Sequence, residues 1–270
     1  MGYETIEVKR LTPHIGGEVS GIDLQRPLTN RQVEDIHQAL LDNGVIFFRE
    51  QPIDVPTLKH FGQHFGKLHV HSAMKGMEEH PEVRLLHADA NSKHVAGEEW
   101  HTDLSCDPIP PMGSVLHIHT LPPTGGDTCF TSMYAAYDHL SPRMQTYLEG
   151  LTATHDGGLV FRRFNPDGKY NVSVHPVIIR HPETKRKVIY VNRAYTSHIN
   201  ELPSEESKAV LAFLYNHCES PLWQVRFSWR RHSIAFWDNR CTQHYAVWDY
   251  FPQTRTGDRV QIEGANPPFA

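Results

Sequence analysis

Residues 98–107 read EEWHTDLSCD, and at their centre His101 and Asp103 stand two apart. In an extended segment such a pair points to one side of the chain, so an imidazole and a carboxylate can reach one ion. A further histidine from elsewhere would give two histidines and one carboxylate on one face of an octahedral metal. That arrangement belongs to non-haem Fe(II) oxygenases, whose open positions admit a cosubstrate and O2. Alone, the pair is weak evidence. The chain has 20 histidines, and His69/His71 and His117/His119 are also spaced by two. Most of the 20 read as surface or hydrogen-bonded imidazoles.

The far end of the chain strengthens the pair. In WDNRCTQHYAVWDYFPQTRTGDR (237–259), His244 follows a β-rich run, Arg255 comes eleven residues later and Arg259 four after that. A dicarboxylate such as 2-oxoglutarate can chelate iron with one end and needs a planar, two-pronged guanidinium at the other. Lysine would bring charge without the fork.

These residues need rigid elements beneath them. Thr29 and Asn30 can cap a helix carrying Val33, Ile36 and Leu40, with Gly44 as its stop. VIFF (45–48) reads as a buried strand, and Leu58, Phe61 and Phe65 fall at helical spacing. Ser141-Pro142 opens a further helix with Met144, Tyr147 and Leu148, ended by Gly150, and another runs over 204–217. Elsewhere the pattern is short β-rich runs: SVLHIHTL (114–121), HPVIIRH (175–181), KVIYVN (187–192), WQVRFSW (223–229) and SIAFWD (233–238). Turn signals such as PPTGGD (122–127) separate them. This predicts a β-sandwich or barrel flanked by helices rather than a doubly wound α/β fold. No phosphate-cradling or dinucleotide-binding glycine motif occurs.

Bulk properties narrow the function. The 270 residues show no repeat, linker or low-complexity break, and are read as a single domain over 1–270. A net charge of −5 gives no basic field for nucleic acid, and the basic run RFSWRR (226–231) reads as a strand with one solvated face. No segment has the length and apolarity of a signal peptide or membrane span. Cys106, Cys129, Cys218 and Cys241 lie far apart without a C-x-x-C, which fits a reduced, cytoplasmic chain.

Taken together, IGGEVSGIDLQRPL (15–28), VIFFREQ (45–51), FGKLHVH (65–71), WHTD (100–103), LPPTGGDT (121–128), HP (175–176) and WDNRCTQH (237–244) with its trailing arginines resemble one family. It is the taurine dioxygenase / 2,4-dichlorophenoxyacetate dioxygenase family of Fe(II)- and 2-oxoglutarate-dependent oxygenases, and the likeness spans nearly the whole chain in order. The resemblance implies a mostly β fold with flanking helices, built on a double-stranded β-helix (a jelly-roll, cupin-like core). It implies iron ligands His101, Asp103 and His244, with Arg255 and the Thr128 hydroxyl holding the distal carboxylate of 2-oxoglutarate. It also implies His71 and Arg259 as substrate contacts, no catalytic side chain beyond the metal ligands, and O2 as oxidant. The coproducts are then succinate and CO2. Trp100 and Trp237 are expected to pack beside the site, and Cys106 is not expected as a ligand. Relatives are often dimers or tetramers, so a homo-oligomer is implied.

The substrate is expected to be a small anionic molecule. Taurine-oxidising members carry a tyrosine three residues after the position of His71 and an asparagine four before the first ligand; here Met74 and Gly97 stand there. Both polar contacts are absent, which points away from taurine toward something bulkier or more apolar. HPEVRLLHADANSKHVAGEEWHTD (80–103) is closer to the aryloxyalkanoate-cleaving branch. The segment 156–174 is a short version of a lid, with Phe161, Arg162, Arg163 and Phe164 as its candidate substrate contacts. The expected reaction is hydroxylation beside a heteroatom of an aryloxyalkanoate, sulfonate or sulfate ester. Two alternatives stand beside it. One is hydroxylation or desaturation of an amino-acid-like natural-product precursor, and the other is a non-oxygenase jelly-roll protein holding Zn2+ on its H-x-H pairs.

Overall fold

The computed structural model describes residues 2–71 and 74–270. Its larger sheet has seven strands in the order Glu7–Arg10, Gly17–Ser20, Val45–Phe48, Ser233–Asp238, Gly113–Thr120, Arg255–Ile262 and Val83–Ala88. A smaller sheet runs Gln224–Phe227, Thr128–Ser132, Thr242–Ala246. Every pairing is antiparallel except Gly17–Ser20 with Val45–Phe48. The two sheets pack face to face, and together they are the jelly roll expected from the sequence.

VIFF shows why a continuous apolar run is needed at the centre of the large sheet. Val45 and Phe47 join Leu116, Ile118, Phe130, Phe227 and Trp237 between the sheets, with the Phe47 and Phe227 rings stacked 3.8 Å apart. Ile46 and Phe48 face the other way, into a core capped by Ile36 and Leu40 of helix Asn30–Asn43 and Leu58 and Phe61 of helix Val55–Gln63. Both faces of this strand are therefore covered.

The capped helices form as expected. Thr29 and Gln32 close a capping box, and Gly44 adopts φ +70° at the helix end. Ser141 caps Pro142–Leu148, with Gly150 at φ +84° just beyond, and the last long helix is Ser204–Cys218. Phe65 lies past the end of its helix but still packs on Phe236. HPVIIRH is not one strand. Val172–Pro176 pairs with Thr152–Asp156, whereas Ile178–Arg180 pairs with Lys187–Ile189, so the run divides at Val177 between two sheets. Of RFSWRR only Arg226 and Phe227 are strand; Arg226 pairs outside with Asp127, and Phe227 is buried. No helix among the described residues is long and apolar enough to cross a membrane.

Candidate metal and cosubstrate site

The three expected ligands meet at the mouth of the jelly roll. His244 sits on strand Thr242–Ala246, opposite Phe130 of the central small-sheet strand. The H-x-D segment is stitched to that strand through the backbone: His101 N–H donates to the His244 carbonyl at 3.1 Å, and His244 N–H returns a bond of 2.9 Å. The Thr102 hydroxyl donates to the Thr242 carbonyl at 3.0 Å, pointing away from its neighbours. Directly opposed residues bring side chains together, and the His101 and His244 rings lie 4.0 Å apart. Asp103 is on the same side as His101, and Leu104 then turns the chain at φ +50°.

Hydrogen bonds set the donor chemistry. His101 Nδ1 lies 2.8 Å from the Glu99 carbonyl, which can only accept, so this nitrogen carries the proton. His101 Nε2 then turns a lone pair toward Asp103 Oδ1 at 3.5 Å, and His244 Nε2 faces the same oxygen at 3.9 Å. Ser114 Oγ donates to Asp103 Oδ2 at 2.7 Å and Arg259 Nη1 to Oδ1 at 2.9 Å. Ser114 is itself held by Asn239 at 3.1 Å, and Asn239 by the Trp237 indole N–H at 2.9 Å. Burial pushes the Asp103 carboxyl up, but the Arg259 guanidinium outweighs it and holds it well below the usual carboxylate range. Burial, reinforced by His101, holds His244 well below the usual imidazole range. The result is one carboxylate and two imidazoles converging on one buried point, a donor set that calls for a divalent cation. The residues fit Fe(II).

A second group of ligand types, His181, Asp238 and Cys241, is equally buried. It does not fit a metal. Arg240 grips Asp238 with Nε at 2.8 Å and Nη2 at 2.7 Å, and its backbone N–H adds a third bond at 2.9 Å. His181 Nε2 approaches Asp238 Oδ2 at 3.0 Å, and its Nδ1 accepts from the Glu183 and Thr184 N–H groups. The acceptors of His181 and Asp238 are used, and the Cys241 thiol points at the Asp238 carbonyl at 3.9 Å. Neither H-x-H pair joins a ligand cluster among the described residues: His117 contacts His232 at 3.3 Å and His119 approaches Asp258 at 3.7 Å.

Arg255 begins the strand Arg255–Ile262 and is buried against Trp229, its guanidinium 5.5 Å from the indole centre. Gly126, at φ +75°, lets the loop cross this side chain; a Cβ there would meet Arg255 Cδ at 3.1 Å. Burial draws the Arg255 pKa down, no carboxylate bonds it among the described residues, and its Nε has no partner. Thr128 Oγ1 accepts from the Trp229 indole at 3.0 Å and lies 3.5 Å from Arg255 Nη2, leaving its hydroxyl hydrogen to donate. A buried cation without an anion, beside a hydroxyl donor, suits the distal carboxylate of 2-oxoglutarate.

Both groups open on a cavity of about 200 Å³ lined by His101, Asp103, Arg255 and Arg259 together with apolar side chains such as Leu86 and Phe161. His71 lies on this wall; burial, then Arg84 and Arg259, push its pKa down to about 3, and its Nδ1 accepts from Met74 N–H at 3.2 Å. Arg259 pairs with Asp103 and not with its neighbour Asp258. Trp100 stacks on Tyr245, and Trp237 packs against His244, as expected. Cys106 is buried outside the ligand cluster. Across the mouth, Phe161 meets His71 edge-on and Arg163 bonds Glu98 at 2.7 Å, tying the short 156–174 segment to the loop before the H-x-D motif. Phe164 lines the same mouth, whereas Arg162 does not. Sequence reasoning missed Ser114, the Glu99 carbonyl, Trp229 and Arg84.

The family model described as "Taurine catabolism dioxygenase TauD, TfdA family" matches residues 7–261. An alpha-ketoglutarate-dependent sulfonate dioxygenase of Saccharomyces cerevisiae is 33% identical, over 97% of this chain and 68% of its own. An alpha-ketoglutarate-dependent 2,4-dichlorophenoxyacetate dioxygenase of a Burkholderia species is 31% identical, over 89% of this chain and 88% of its own. The crystal structure of a taurine dioxygenase from Burkholderia xenovorans superposes with a TM-score of 0.86 at 35% identity, covering 98% of this chain and 93% of that one.

Proposed function

Because the chain belongs to the taurine catabolism dioxygenase TauD, TfdA family, and is an Fe(II)- and 2-oxoglutarate-dependent dioxygenase, we propose that His101, Asp103 and His244 hold its iron and that Arg255 with Thr128 holds 2-oxoglutarate. The supporting observation is the convergence of unshared lone pairs on Asp103 Oδ1, set beside a buried Arg255 that lacks a carboxylate. When bound, Fe(II) couples O2 reduction to oxidative decarboxylation of 2-oxoglutarate, yielding succinate and CO2 and oxidising a substrate C–H bond.

The side chains supply geometry and exclusion of water. The Glu99 carbonyl fixes the His101 tautomer, and Ser114 aims the Asp103 carboxylate. Arg255 neutralises the far end of the cosubstrate in a site too dry to do so with solvent. Arg259 and His71 orient the acid head of a small organic anion, and Leu86, Phe161 and Val160 surround its apolar body. The reaction is hydroxylation beside a heteroatom of an aryloxyalkanoate, sulfonate or sulfate ester. The product then collapses: a sulfonate gives sulfite and an aldehyde, and an aryloxyalkanoate gives a phenol and a 2-oxo acid. Met74 and Gly97 leave taurine without two polar contacts, which favours a bulkier body.

We read 1–270 as one catalytic domain, acting in the cytoplasm as a homodimer or homotetramer; light scattering tests the assembly. The function itself is tested by anaerobic addition of Fe(II) and 2-oxoglutarate, which should give a weak visible charge-transfer band that His101→Ala abolishes. Succinate formation across sulfonates, sulfate esters, aryloxyalkanoates and amino acids then identifies the substrate. Tight Zn2+ binding with no band would sink the oxygenase reading.

A further inference from the structure

The strand Val83–Ala88 lies beside Arg255–Ile262 in unbroken register, pairing Ala88 with Arg255, Leu86 with Gly257, and Arg84 with Arg259. Directly paired residues project from the same face. Arg84 and Arg259 therefore stand side by side on the cavity wall, and both line the cavity. Like charges placed directly opposite destabilise a sheet; here Arg259 is buried and Arg84 half-buried. Burial first, and then Arg259, draw the Arg84 pKa down to about 10, which leaves it charged at neutral pH.

Among the described residues no carboxylate pairs with Arg84, and the one that acts on it, Asp103, is held elsewhere. Asp103 is engaged by Arg259 at 2.9 Å. Glu98 is taken by Arg163 at 2.7 Å, and Glu99 lies 3.7 Å from the same guanidinium. Two further polar groups near Arg84 carry no charge: burial pushes the Tyr195 phenol well above its usual range, and burial with Arg84 beside it pushes the His71 pKa down to about 3. No hydrogen bond or ion pair to the Arg84 guanidinium exists among the described residues. Charge within the reading given above sharpens the point. Fe(II), the Asp103 carboxylate, dianionic 2-oxoglutarate and Arg255 together carry no net charge, and the imidazole ligands are neutral. Two positive charges remain on the wall where the substrate's head would lie. A monoanion would neutralise only one of them and leave the other, half-buried on the cavity wall, without a counter-charge.

We propose that Arg84 is a second anion-binding residue, paired across the strands with Arg259, and that together they select a substrate whose head carries two negative charges. Two acid groups on neighbouring atoms, or one doubly charged tetrahedral head, both meet this chemistry. The inference rests on the oxygenase reading and deepens it: a single carboxylate, sulfonate or sulfate would engage Arg259 and leave Arg84 unused.

The test uses full-length protein loaded with Mn(II) and N-oxalylglycine, a pair that occupies the site without turnover. Calorimetric titration at mildly alkaline pH compares sulfoacetate and ethylphosphonate, both doubly charged there, with ethanesulfonate, a monoanion of similar size. The dianions should bind about tenfold tighter or more, the worth of one added charge-assisted contact. Arg84→Met should erase that preference while changing ethanesulfonate affinity less than about threefold, and Arg259→Met should weaken all three. Tight binding of sulfoacetate alone assigns two neighbouring acid groups; tight binding of ethylphosphonate alone assigns one doubly charged head. Equal binding of ethanesulfonate and both dianions would overturn the proposal, and so would an Arg84→Met variant that weakens all three alike. The anaerobic band separates the levels of failure. Wild-type protein that shows the band but no dianion preference defeats this inference only, whereas protein without the band defeats the oxygenase reading beneath it.

Discussion

Two buried clusters in this molecule share their residue types and differ in what they leave over. His181 and Asp238 are locked by Arg240, by backbone N–H groups and by each other, and no lone pair is spare. His101, Asp103 and His244 are also buried, yet among the described residues Asp103 accepts two hydrogen bonds and His244 Nδ1 has no partner. A buried carboxylate with a bidentate guanidinium is a structural ion pair; one facing two imidazoles is the one proposed to bind iron. Histidine count could not have told them apart, because the decision lies in the accounting of donors and acceptors.

The largest expected effects break this contrast from both sides. His101→Ala should abolish the anaerobic Fe(II)–2-oxoglutarate band and all turnover while leaving a protein that unfolds at close to the normal temperature. Asp238→Asn should do the reverse. Removing the charge strands Arg240 and should cost about 3 kcal/mol or more in stability, with the band retained in the cold. A band lost in both variants would mean that the two clusters are not separable.

The same pair predicts a difference in acid. Burial pushes the Asp238 carboxyl up, but Arg240 and His181 hold it well below its ordinary value. A carboxyl depressed on folding contributes its full stabilisation above its unfolded pKa of about 3.9 and loses it as the pH falls through and below that value. Acid unfolding of the wild type below about pH 4 should therefore be steep, and Asp238→Asn should flatten it. Equal slopes, measured by circular dichroism, would show that Asp238 is not the acid-sensitive group.

Much of the site was legible in the sequence, for a physical reason. Ligands two apart on extended backbone need no knowledge of the fold, and the eleven residues from His244 to Arg255 are a property of the chain. The capped helices were legible too, since Thr29, Ser141 and their partners act locally. What escaped depends on pairing between distant strands. Ser114 reaches Asp103 only because Gly113–Thr120 lies beside the site, and Arg84 meets Arg259 only through register. VRLLHA alternates, but its inward side carries an arginine, so polarity alone points that residue outward. HPVIIRH failed similarly: local pattern shows a strand but not that two different partners divide it.

Arg255→Gln should act on cosubstrate alone. Replacing a buried charged partner costs about 2–5 kcal/mol, so the KM for 2-oxoglutarate should rise about thirtyfold or more, with Fe(II) affinity unchanged. Ser114→Ala should show the opposite selectivity. It frees Asp103 Oδ2 from a 2.7 Å bond, and loss of a group orienting a metal ligand typically lowers metal affinity about 10- to 100-fold. Equilibrium Fe(II) binding and 2-oxoglutarate kinetics on both variants separate these effects. If each variant changed both quantities to the same degree, iron and cosubstrate would not be held by distinct groups.

The smallest effect compares two glycines of nearly equal backbone conformation. Gly97, at φ +87°, and Gly150, at φ +84°, both occupy the left-handed region, where a side chain costs about 1–2 kcal/mol. Alanine at either position should therefore lower the unfolding temperature by a few degrees. Their surroundings differ. A Cβ on Gly150 meets nothing within 4 Å, whereas one on Gly97 would lie 3.1 Å from His101 Cε1 and 3.5 Å from the Ala246 methyl. Gly97 N–H is not the constraint, since the strand bond here runs from Ala246 N–H to the Gly97 carbonyl at 2.8 Å. The added methyl presses on the ring whose Nε2 is to bind iron, and the backbone bond keeps the loop from moving aside. Gly97→Ala should thus weaken Fe(II) binding beyond its loss of stability, while Gly150→Ala, equally strained, should bind iron like the wild type. Equal Fe(II) affinity in the two variants would show that Gly97 serves the turn alone and not the seat of His101.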